Sequence, residues 1–254
     1  MKQGDFTGLA KQYANRPGYA KLVLNHLLKY TGVTDSSCIA DVGAGTGKLH
    51  EGLLDLGCSN ITAVEPNEDM RNEGKQATEH RGVIWREGTG EATGLPPQSV
   101  DWVLMASSFH WTDASISLPE FYRILKPGGY LTVLWNPRHL EASPLQLEID
   151  AMIRAKVPNL KRVSSGSQSY TQNIEATLTS TGHFTDVIHI EAGHAESMSP
   201  ARYLGAWRSV NDIQAQAGRE LFADIMTTIE QRIADMNTII TPYRTRSWTA
   251  TRIG

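Results

Sequence analysis

Short apolar runs rich in β-branched residues alternate with helix-period stretches through the first half of the chain, the pattern of parallel strands joined by crossover helices. The runs predict strands over 38–42, 61–65, 83–87, 102–106 and 130–135. Helices are predicted over 19–28, 46–56 and 118–125, and from Asn67 onward, where an amide cap precedes Glu68 and Asp69. Lys126-Pro127-Gly128-Gly129 reads as a helix stop and a turn before the fifth strand. Strands in this order make a doubly wound α/β sheet, whose ligands sit outside the carboxyl ends of the strands. In the second half, 145–155, 200–209 and 219–236 read as helices, with a polar stretch at 164–169 and strands over 184–190 and 243–253. Leu221, Ile225, Ile229 and Ile233 recur at spacing of four, so the last helix buries one face in a core, a substrate cap or an oligomer contact.

At the end of the first strand stands Asp41-Val42-Gly43-Ala44-Gly45-Thr46-Gly47. Glycine at alternate positions strips Cβ atoms from a strand-to-helix turn, letting backbone amides approach a ligand at a helix N-terminus. Spacing separates the ligand classes. A dinucleotide fingerprint needs a glycine where Lys48 stands, and a phosphate-binding P-loop needs a glycine at Val42 and a hydroxyl at Leu49. Glu65 follows Gly47 by 18 residues, near the spacing at which an acid accepts both hydroxyls of a ribose; the competing reading is a carboxylate that merely opens the next helix.

Composition narrows the setting. The 254 residues are 40% hydrophobic and 20% charged, enough for one α/β domain with an appendage, and a net charge of -3 gives no general attraction to nucleic acid. Cys38 and Cys58 suit neither a disulfide framework nor a zinc cluster, and the eight histidines lack metal-ligand spacing, so no metal is expected. With no run of 18 apolar residues and no apolar signal core after Met1, the expectation is a cytoplasmic protein with no membrane partner, a monomer or homodimer.

The Asp41-x-Gly43-x-Gly45-x-Gly47 turn, Glu65, Gly90-Glu91-Ala92, Ser99-Val100-Asp101 and Leu125-Lys126-Pro127-Gly128-Gly129 occur in an order and spacing that resemble class I S-adenosylmethionine (SAM) dependent methyltransferases of the small-molecule group, which includes ubiquinone-pathway and trans-aconitate enzymes. The resemblance implies a Rossmann-like, mostly parallel sheet with an antiparallel final strand. It also implies a single domain over 1–254, with an N-terminal lid helix at 1–30, a SAM-binding core at 36–137 and a helical cap insertion at 195–240. SAM is then the cofactor and S-adenosylhomocysteine its product. The implied cofactor residues are Asp41, Gly43, Ala44, Gly45, Glu65, Pro66, Met70 as an adenine cover or a core residue, Glu91 and Ala92 at the adenine, and Ser107 at the methionine part. Tyr13 and Arg16, in an aromatic and basic cluster with Phe6, would meet the methionine carboxylate, Arg16 through its bidentate fork.

For the methyl acceptor, the segment Ser107-Ser108-Phe109-His110-Trp111 after strand four places His110 near the methyl group by resemblance, as a general base or as an orienting group. Trp111 walls the site or plugs the sheet, and Asp113 caps the next helix. Tyr19 is assigned to the substrate side, and Tyr203, Trp207 and Arg208 would line a pocket for an aromatic or anionic acceptor. The leading expectation is methyl transfer to an O or N atom of a small metabolite. The alternatives are carboxyl methylation of an organic acid held by cations such as Arg208 or Arg244, and a non-catalytic SAM-binding subunit.

Overall fold

The computed structural model describes residues 7–162 and 171–254; Phe6 and the polar stretch at 164–169 lie outside the described residues. Seven strands form one sheet in the order β3-β2-β1-β4-β5-β7-β6. They are β1 (Ile39–Val42), β2 (Ile61–Val64), β3 (Ile84–Arg86), β4 (Val100–Ala106), β5 (Leu125–Trp135), β6 (Phe184–Met198) and β7 (Ile239–Arg252). The first five pair in parallel, and β7 runs antiparallel between β5 and β6. This is a Rossmann-like α/β sheet with an antiparallel last strand.

Strand β4 shows why the sheet is a middle layer. Trp102 and Leu104 pack with α2 (Lys21–Thr31) and α3 (Lys48–Asp55), while Val103 and Met105 face the side covered by α5 (Ala114–Ile124), the two-residue alternation of a strand buried on both faces. The helix α4 (Glu68–Ala77) starts on Asn67, whose side chain accepts from the Met70 amide at 3.0 Å. Helix α5 starts on Asp113, which accepts from the Ser115 amide at 2.9 Å. The turn predicted at 126–129 lies inside β5. Val100 pairs with Leu125 and Trp102 with Tyr130, so the extra residues bulge out of the strand, with Gly128 at φ 72° and the Lys126 ammonium on Asp101.

A second apolar core lies over the strand ends. Helices α6 (Pro144–Lys156), α8 (Pro200–Arg208) and α9 (Asn211–Arg232) share it with Ile239 and Tyr243 of β7; α7 (Ile174–Thr179) belongs instead to the sheet core. Ile225, Ile229 and Ile233 of the predicted stripe are buried there. Helix α9 is broken at Gly218, φ 75°, so its second half begins at Arg219 as the periodicity predicts. The N-terminal arm with α1 (Ala10–Tyr13) bridges the two layers. The Gly8 amide donates to Asp69 on α4 at 2.9 Å, and Arg16 Nε donates to Ser209 Oγ beyond α8 at 2.8 Å.

Candidate active site

Two cavities open at the carboxyl ends of the strands, and Ser107 lines both. The smaller, about 240 Å³, is walled by the turn after β1 (Gly43, Ala44, Gly45), Glu65, Pro66 and Asn67 after β2, Thr89, Gly90 and Glu91 after β3, and residues 105–108 at and just past the end of β4. Tyr13, Tyr19, Lys48, Leu49, Met70, Trp111 and Thr112 also line it.

The glycine turn does not work as a phosphate cradle. The amides of Gly43 and Ala44 donate to the Val64 carbonyl, that of Gly47 to the Ala44 carbonyl, and that of Gly45 to Glu65 Oε2 at 2.8 Å. The glycines are needed for close approach instead. A Cβ on Gly43, at φ 68°, would lie 2.6 Å from Ser108 Cβ, so the turns after β1 and β4 meet only because it is absent. Glu65 is held from both sides, its second oxygen accepting from the Asn67 amide at 2.9 Å. Burial pushes its carboxyl up, and these two amides pull it back down. Each oxygen keeps acceptor capacity for a hydroxyl donor in the cavity. A slot lined by an anchored acid and by apolar Met70 suits a nucleoside with a ribose diol.

Several expected contacts take other roles. Asp41 is fully buried and lines neither cavity; its Oδ2 stands 2.9 Å from Nε2 of the equally buried His50, which braces the turn from beneath. Ala92 is outside the cavity walls, its carbonyl accepting from the Thr89 amide, while Glu91 accepts from the Asp113 amide at 2.8 Å and so ties the loop after β3 to α5. Arg16 lines the larger cavity, stacked 4.2 Å over Tyr13, with Nη2 donating to the Ser209 carbonyl at 3.0 Å. Tyr19 and Trp111, assigned to the substrate, both line the smaller cavity; the Tyr19 hydroxyl is 3.1 Å from Ser107 Oγ, and burial, then the neighbouring Tyr13, pushes its pKa up, so it stays a neutral phenol.

His110 lines neither cavity. It packs on Trp111, and the Trp135 indole N–H donates to its Nδ1 at 3.1 Å. An indole nitrogen only donates, so the neutral imidazole carries its proton on Nε2. Burial, with a smaller contribution from Arg16 and against the pull of Asp212, lowers its pKa to about 4. At neutral pH the ring is therefore an uncharged Nε2 donor with its basic nitrogen already engaged, a geometry for ordering the loop after β4 rather than for removing a proton.

The larger cavity, about 640 Å³, lies between the strand ends and the second core. Trp207 lines it, but Tyr203 is wholly buried in that core with its hydroxyl accepting from Gln146 at 2.8 Å. Arg208 lines neither cavity, because one residue past Trp207 a helical side chain turns about 100° away. The lining that sequence reasoning missed is the loop after β5, Asn136 to Glu141, together with Lys48, Arg154, Arg162 and Arg246. Its position beyond the carboxyl end of a parallel strand is the signal that marks the loop.

Residues 40–133 match the family model for a methyltransferase domain. That stretch of the chain carries a methyltransferase domain. An uncharacterized methyltransferase of Mycobacterium tuberculosis is 36% identical over 123 residues, 48% of this chain and 48% of that one. A ubiquinone/menaquinone biosynthesis C-methyltransferase, UbiE, of Marinomonas sp. is 29% identical over 124 residues, 46% of this chain and 49% of that one. The chain thus spans about half the length of the curated relatives it matches. In shape, the likeness extends well beyond residues 40–133. The crystal structure of a putative methyltransferase from an antibiotic biosynthesis pathway of Anabaena variabilis aligns over 92% of this chain and 98% of that one with a TM-score of 0.62 at 22% identity. Among the described residues no helix is long and apolar enough to cross a membrane, and no cluster of potential metal ligands is present.

Proposed function

We propose that this protein transfers a methyl group from SAM, seated in the smaller cavity, to a small molecule in the larger one. The observation that carries the reading is the junction at Ser107, where a slot fitted to a nucleoside meets a second cavity of about 640 Å³. When bound, SAM supplies a methyl already activated by its sulfonium. The chain's part is to hold the acceptor atom in line, an orientation effect worth up to roughly 7 to 11 kcal/mol. Gly43 and Gly45 give the slot its depth, Glu65 holds the ribose, Met70 covers the adenine and Glu91 steadies its loop. Tyr19 and Ser107, hydrogen-bonded to each other, form the wall at the methyl end. His110 orders that wall through Trp111 and Trp135 and takes no proton from the acceptor.

An O or N acceptor whose lone pair is available without a base fits this arrangement best. The relative named a C-methyltransferase marks carbon as the competing acceptor atom. The test is release of S-adenosylhomocysteine in a screen of small acids, phenols, amines and quinols. Acceptor-dependent release supports the reading, and SAM binding without release for any acceptor supports a non-catalytic subunit instead. With an acceptor in hand, His110→Gln retains activity within about tenfold, whereas loss of a true general base would cost about 100- to 10,000-fold.

A further inference from the structure

The larger cavity is walled by six arginines and three carboxylates. Most of that charge is already spent. Arg154 donates to Asp150 at 2.7 Å, Arg162 to Asp212 at 3.0 Å, and Arg244 and Arg246 share Glu191 at 2.6 and 3.1 Å. Arg16 is bonded to Ser209. Glu141, the third wall carboxylate, is exposed.

Arg138 is different. Among the described residues its guanidinium has no carboxylate within 4.0 Å, and its Nε is buried with no hydrogen-bond partner. It is nevertheless held in place. Its guanidinium lies 3.8 Å over the Trp207 ring, and its backbone bridges to Tyr243 of β7. The loop is zipped to the same strand on both sides, with the Arg244 amide on the Pro137 carbonyl and the His139 amide on the Pro242 carbonyl. A guanidinium that is fixed, partly desolvated and unpaired costs free energy unless something anionic completes it, and its planar fork suits an oxyanion.

We propose that Arg138 is the anion anchor of the acceptor pocket, so that the acceptor is an acid carrying a carboxylate or phosphate group. The inference rests on the methyltransferase reading and adds the substrate class. Stacking on Trp207 sets the plane of the fork toward the cavity they both line, and the ion pairs of the other arginines rigidify the wall around it without competing for the ligand.

The test is calorimetric titration of the full chain, first with S-adenosylhomocysteine and then, at saturation, with citrate or with inorganic phosphate. Arg138→Gln and Arg138→Met are carried in parallel, and thermal unfolding verifies that both fold. Binding of at least one anion to the parent chain, weakened tenfold or more in both variants while S-adenosylhomocysteine affinity stays within twofold, supports the proposal. Preference for citrate or for phosphate identifies the group. Equal anion affinity in parent and variants overturns it, as does absence of anion binding in a chain that binds S-adenosylhomocysteine. Failure to bind S-adenosylhomocysteine at all would refute the cofactor reading instead, so the two failures are distinct. Should both variants fail to fold, Arg138→Lys, which keeps the charge and stem but loses the fork, replaces them under the same criteria.

Discussion

The smaller cavity takes its polar walls from the turns that directly follow four adjacent parallel strands, whereas the larger one collects side chains from the N-terminal arm, the loop after β5, α6, α8 and the two long strands β6 and β7. In the first, the backbone does the shaping: a missing Cβ at Gly43, amides of Gly45 and Asn67 on Glu65, a capped α4. In the second, shape comes from ion pairs and stacking between residues far apart in the chain, such as Arg162 with Asp212 and Arg138 with Trp207. Parts built from backbone turns tolerate few substitutions and are shared widely. Parts built from side chains can be exchanged singly, and they set what the protein accepts.

Substitutions can break or sharpen this contrast. The largest effect is expected from Gly43→Val, which forces a β-branched residue into φ 68° and against Ser108. A cost of about 2 kcal/mol or more would raise the S-adenosylhomocysteine dissociation constant about 30-fold, measured by calorimetry alongside a fall in unfolding temperature. Wild-type affinity in this variant would mean the turn does not shape the slot. Glu65→Ala should follow, weakening the same ligand about tenfold through loss of a charged acceptor while anion binding in the larger cavity is preserved.

A third prediction concerns pH. His110 has a pKa lowered to about 4 in the folded chain against 6.5 ordinarily, so the unfolded chain binds the extra proton between those values. Its contribution to stability is therefore fully present above about 6.5 and is lost as pH falls toward about 4. Unfolding free energies from pH 7.5 to 4 should show a shallower decline in His110→Gln than in the parent chain; parallel curves would contradict the buried neutral ring. The smallest effect is expected from Tyr203→Phe. Removing a hydroxyl that accepts from Gln146 costs about 1 kcal/mol of stability and leaves acceptor affinity unchanged, which denaturant titration and a Michaelis analysis separate.

Residues read correctly from sequence share a property. Asn67 and Asp113 cap helices, and Ile225, Ile229 and Ile233 bury one helical face, all consequences of contacts within four residues. Gly43, Gly45 and Glu65 line one cavity, as their spacing suggests, because a strand, a tight turn and the next strand of the same unit bring them together. Misplaced residues depended on distant partners. Asp41 turns inward to His50, Arg16 reaches Ser209, and His110 receives the indole proton of Trp135, 25 positions away.

The chain's own pattern thus determined the doubly wound sheet and the smaller cavity at its strand ends, because both arise from short-range periodicity and from backbone turns that particular residue types enforce locally. Tertiary structure alone decided the acceptor side. Whether an arginine is spent on a carboxylate or left open to a ligand is a matter of which long-range neighbour lies within about 4 Å of it, and nothing in residue spacing tells Arg138, unpaired on Trp207, from Arg244 and Arg246, both held by Glu191.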